Sequence, residues 1–225
     1  FMTQIIRKYE GTRLGRQELM GEILEDNPNA LWQRSQIDAD RVRIAPEMQR
    51  IIVGVDPAVT ANERSDLTGI VIAGVDAQDP PHFYILDDVS ILASPDVWAG
   101  VVVKAFHSWK ADRVVAEVNN GGDLVEMVLR TKDANLSYSS VRATRGKTIR
   151  AEPVAALAEQ HRLHHVGFFP GLEDQLVEWD AQAVAKSPDR MDAMVWACTD
   201  LMNNTGGWDA LVNSDLEERR RAREA

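Results

Sequence analysis

The pattern of apolar and polar positions changes sharply near residue 49. Before it the chain is polar and mixed in charge, with one helical stretch over Arg16 to Glu25 and turn signals at Asn27, Pro28 and Asn29. After it, IIVGV at residues 51–55 is a short, β-branched apolar run of the kind that forms a buried central strand. Strands are predicted over Arg50 to Asp56, Thr68 to Val75 and His82 to Val89. The segments between them are turn-rich and include Asn62, Asp79, Pro80 and Pro81, which suits an antiparallel meander. The period then changes. A helix is predicted over Pro95 to Trp109, a strand over Arg113 to Val118, a helix over Asp123 to Lys132 and a strand over Ser139 to Ala143. Such alternation builds parallel β-α-β units. After a basic loop the pattern predicts a helix near Glu152 to His161, a short strand near His165, a helix near Leu172 to Ala183 and a last helix over Pro188 to Met202. The class is α/β, a mixed sheet flanked by helices.

Composition narrows this picture. The 225 residues are 44% hydrophobic and 27% charged, enough apolar material for a full core. No apolar run approaches the roughly 18 residues that cross a bilayer, and the N-terminus lacks the layout of a secretory signal. No membrane partner is expected. Cys198 is the single cysteine, so an internal disulfide and a multi-cysteine zinc site are excluded, and a reducing cytoplasm is the expected setting. The net charge of -10 speaks against a protein that coats nucleic acid by electrostatics alone. A carboxylate cluster that binds cations would add to that charge and have it reversed locally by the metal. Three regions are expected: a connector over 1–46, a folded domain over 47–205 and a charged tail over 206–225.

Three acids stand out. Asp56 ends the first core strand, stopped by Pro57, at the edge where open α/β sheets bind ligands. Glu117 ends the apolar strand of RVVAEVNNGG, and if the two strands are parallel neighbours the carboxylates converge. Asp192 stands at the entrance of an apolar helix, followed by six apolar residues from Ala193 to Cys198. Two acids at the ends of buried strands repel and lose hydration, which a cation between them relieves. Oxygen donors without Cys or His fit Mg²⁺ or Mn²⁺ better than zinc. Asp189, three residues before Asp192, shares its face and is a fourth candidate, although a helix-terminus acid explains it equally well. Asp66 is a weaker candidate; Asp87 and Asp88 read as strand-end residues.

In their order, YEGTRLGRQELMGEI, IIVGVDPA, SDLTGIVIAG, VVAEVNNGGD, RATRGKTIRAEPVAAL and SPDRMDAMVWA resemble large terminase subunits of viral type, over nearly the whole chain. The strand order is similar to the ribonuclease H-like fold. The resemblance places the first segment after an ATPase domain, which this chain lacks, and the rest in the C-terminal nuclease domain. It implies cleavage of concatemeric double-stranded viral DNA during genome packaging in the host cytoplasm, by two divalent ions. Asp56 would bridge both ions, with Glu117 and Asp192 each completing one site and Asp189 available as a further ligand. The implied partners are the ATPase domain, a small terminase subunit and the portal protein.

Gly146, Lys147 and Thr148 resemble the end of a phosphate-binding loop, but Val141 stands where its first glycine belongs, so no nucleotide site is expected. Arg142, Arg145, Lys147 and Arg150 place four positive charges in nine residues, suited to steadying a DNA backbone, with Lys147 the foremost candidate. The alternative is a solvated loop that balances nearby acids. The histidines of HRLHH at 161–165 lack metal-ligand spacing and read as surface or packing residues. Trp98, Trp109, Trp179 and Trp196 read as core. Two other functions remain open: a structure-specific, resolvase-like nuclease of the same fold, and a non-catalytic packaging module.

Overall fold

The computed structural model describes residues 27, 29–57, 67–118, 122–143, 146–180 and 188–204. The helix expected over Arg16 to Glu25, Asp66, Arg145 and the tail over 206–225 lie outside the described residues. Six strands form one sheet: β1 (Arg50–Asp56), β2 (Gly69–Val75), β3 (Phe83–Asp88), β4 (Arg113–Glu117), β5 (Tyr138–Val141) and β6 (Leu163–His165). Their order across the sheet is β5-β4-β1-β2-β3-β6. The first three make the expected antiparallel meander. On one side β4 and then β5 add in parallel to β1, and on the other β6 adds in parallel to β3.

The helices are α1 (Arg34–Ala39), α2 (Pro95–Ser108), α3 (Gly122–Lys132), α4 (Lys147–Glu159), α5 (Pro170–Glu178) and α6 (Asp189–Asn204). Side chains alternate along the strands, so each strand supplies both faces of the sheet. Ile52, Val71 and Ala73 pack with residues of α1, α4, α5 and α6, while Val53, Val55, Ile70 and Ile72 pack with α2 and α3. All seven residues of β2 are buried, as befits a strand covered on both faces. Among the described residues no helix is long and apolar enough to cross a membrane.

Three expectations need revision. The helix expected from Glu152 begins at Lys147 and carries Pro153 inside it. Proline favours the first helical turn, so its position pointed to a late start; the preceding six residues are helical all the same. Lys147 and Arg150 therefore stand on a helix, three residues apart on one face, instead of in a loop. The helix expected to run to Ala183 stops at Glu178, where Trp179 is extended. Finally, the expected connector supplies core: Trp32 and Ile37 are buried. Two large apolar residues in a polar stretch are too sparse to register as a periodic pattern.

Ionic contacts fasten this early segment to α5. Glu173 is fully buried and accepts hydrogen bonds from Arg34 (2.8 Å), Arg41 (2.6 Å), the Phe169 amide (3.1 Å) and His165 Nδ1 (3.2 Å). Hydrogen bonds and opposite charge hold its carboxyl well below the usual range, against the opposing effect of burial. The other histidines of HRLHH also serve packing: His161 pairs with Asp40, and His164 stacks on His82 and Tyr84.

Candidate active site

The register of β1 and β4 decides where the first two acids lie. Val55 pairs with Ala116 in parallel, so Asp56 and Glu117 follow on adjacent strands at the same end of the sheet. The third and fourth acids arrive on α6, which crosses the sheet at exceptionally close range. A Cβ on Gly54 would stand 2.1 Å from the Ala193 carbonyl oxygen, and one on Gly69 would stand 1.9 Å from that of Asp189. Glycine in a strand interior marks such a backbone approach, and here two of them admit the first turns of α6. Two side chains fix the start of that helix. Gln175 Oε1 accepts from the Arg190 and Met191 amides (3.0 and 3.3 Å), satisfying donors that have no partner within the helix. Arg190 reaches Asp88 at 2.6 Å, so this strand-end acid serves to anchor α6.

Asp189, Asp192 and Glu117 are buried and Asp56 half-buried. The Asp56 carboxyl is pushed up to about 8, by burial first and then by the charges of Asp192, Glu117 and Asp189, against a smaller opposing effect of Lys147. Burial also raises Asp192, although Lys147 and Arg150 pull it down. The four carboxylates thus share one electrostatic environment.

Among the described residues, two cations stand among them. Lys147 pairs with Asp192. Arg150 reaches Glu117 at 3.2 Å and Asp192 at 3.6 Å, its guanidinium 4.5 Å from the centre of the Trp196 ring. Trp196 donates its indole N–H to Glu117 at 2.7 Å. Arg150 therefore points inward, only 10% exposed, and its charge balances acids. Helical periodicity explains this: Arg150 lies on the face of α4 that turns to α6. Arg142, by contrast, is exposed.

Sequence reasoning missed Gly54 and Gly69 as the seat of α6, although glycines inside strands signal it, and it missed the bond from Trp196 to Glu117, which no local pattern announces. Among the described residues no three carboxylates converge as closely as metal ligands do. The donor set nonetheless suits a hard cation. It offers oxygens alone, and four acids face the two named bases, leaving Asp56 with a strong preference for its proton.

Solved structures share the fold that carries these acids. The large terminase nuclease from thermophilic phage G20c aligns over 76% of this chain and 98% of its own, at 15% identity and a TM-score of 0.53. Its magnesium-bound structure gives 0.53 at 14% identity, covering 77% and 98%. The large terminase of another thermophilic bacteriophage gives 0.56 at 14% identity, over 80% of this chain and 46% of that one. The chain thus spans nearly all of the first nuclease and about half of the larger terminase. No curated protein sequence matches it. Residues 53–201 match the family described as the terminase RNaseH-like domain. That match covers most of the six-stranded mixed sheet and the acid-bearing start of α6, and the chain belongs to the terminase RNaseH-like domain family.

Proposed function

We propose that the chain is a divalent-metal-dependent endonuclease that cuts concatemeric double-stranded viral DNA during genome packaging, in the host cytoplasm. The observation that carries this reading is the gathering of Asp56, Glu117, Asp189 and Asp192 at one sheet end, with the Asp56 carboxyl pushed up to about 8. Mutually repelling buried carboxylates are destabilising unless positive charge is brought to them.

Asp56, Glu117 and Asp192 would hold Mg²⁺ or Mn²⁺, with Asp189 as a further ligand. A bound pair of such ions supplies water of lowered pKa and positive charge for the departing 3′ oxygen. Asp56 must give up its proton before it can act as a ligand. Glu117 is held by the Trp196 indole N–H and by Arg150, so one of its oxygens is fixed. Arg142, Arg145 and Lys147 would meet the phosphate backbone. Such contacts position DNA without reading its bases. The ATPase domain, small terminase subunit and portal protein remain the proposed partners.

Cleavage of supercoiled plasmid in Mn²⁺, Mg²⁺ or EDTA tests the reading, with the natural chain beside Asp56→Ala and Asp192→Ala. Nicking that needs metal and is lost in both variants is the expected result. Cutting that survives both substitutions would overturn the site assignment.

A further inference from the structure

Resting on the reading of these acids as metal ligands, we propose that the Lys147 ammonium is a built-in substitute for a divalent cation: it neutralises the acids before metal arrives and leaves Asp192 when metal enters.

Arg150 and Lys147 are held differently. Arg150 is 10% exposed, reaches two carboxylates and lies over the Trp196 ring. A guanidinium so held is a permanent part of the wall. Lys147 is 39% exposed, is the first residue of α4 and directs its ammonium to Asp192. A lysine ammonium is a compact charge on a flexible stem, and its partial exposure leaves it a way into solvent. Its partner Asp192 is 2% exposed and stands on the helix seated over Gly54 and Gly69, so the acid cannot follow the lysine outward. A metal and the ammonium would then compete for the same carboxylate, and the observed metal affinity would be reduced by the fraction of molecules in which the lysine is bound.

Calcium titration calorimetry on the full chain, with Lys147→Met beside the natural protein, measures the competition directly. The variant should bind Ca²⁺ about fivefold more tightly, the gain expected when a competitor that occupies most molecules is removed. Independently, acetylation of Lys147 in the natural chain, followed by mass spectrometry, should be several-fold faster with saturating Ca²⁺ than with EDTA. Unchanged or weaker calcium binding by a folded Lys147→Met chain overturns the proposal, as does acetylation indifferent to Ca²⁺; if the variant does not fold, the acetylation result alone decides. Calcium binding by the natural chain without these two effects removes the displacement and leaves the nuclease reading intact. Failure of both proteins to bind Ca²⁺ or Mn²⁺ removes both.

Discussion

Replacing Asp56 by asparagine should make the metal-free protein more stable while abolishing its response to metal. The carboxyl is pushed from 3.8 to about 8, so the folded chain favours its neutral form. Because the folded value lies above the unfolded one, this group's contribution to stability is full below the ordinary carboxylate range and is lost as pH rises through about 8. Every tenfold change in proton affinity corresponds to about 1.4 kcal/mol, so the ionised carboxylate costs on the order of 5 kcal/mol before solvent is considered. Asp56 is half-buried, and screening brings the figure to about 2–3 kcal/mol. For a chain of this size that is a rise in Tm of about 5–10 °C in Asp56→Asn at pH 8. Thermal melts of both proteins between pH 5 and pH 9 in EDTA would show the difference widening as pH rises. Repeating them with Ca²⁺ should raise the Tm of the natural chain alone. A variant that is less stable than the natural chain at pH 8, or a gap that does not grow with pH, would refute the electrostatic account of the site.

Two further perturbations probe the scaffold. Glu173→Gln removes the charge that Arg34, Arg41 and His165 converge on; Arg34 keeps Asp174 and Arg41 keeps Asp38 as partners, so the loss should be that of charge-assisted hydrogen bonds, about 2–3 kcal/mol, read from urea denaturation. Gly54→Ala sets a methyl group against the Ala193 carbonyl and should cost at least about 3 kcal/mol, with plasmid cleavage falling more steeply than stability because α6 carries two of the acids; a variant with natural melting and natural cutting would contradict the close seat.

How much of this could be read beforehand follows from the range of each interaction. The sheet was legible because β1, β2 and β4 are short β-branched runs ended by Pro57, turns or glycines, signals that act over a few residues. Asp56, Glu117 and Asp192 were legible for the same reason: each ends or begins a strongly apolar element. What escaped depends on contacts between distant segments. The inward orientation of Arg150 requires α4 to start at Lys147, and Pro153 masked that start. The bond between Trp196 and Glu117 spans 79 residues. Trp32 and Ile37 join the core through a segment whose composition is otherwise that of a loop.

The seat of α6 on Gly54 and Gly69 has a consequence for how such a site can vary over generations. Where a helix rests on side chains, enlarging one and shrinking another shifts it by small steps, so the spacing of any groups it carries drifts with every repacking of the interior. Here main chain lies against main chain, and there is no spacer to resize. Substitutions elsewhere in the core can accumulate without moving Asp189 and Asp192 relative to Asp56, because the stop that sets their depth carries no side chain to mutate gradually. The interior is free to diverge in sequence while the acids keep station, and the positions that cannot share in that freedom are the two glycines themselves.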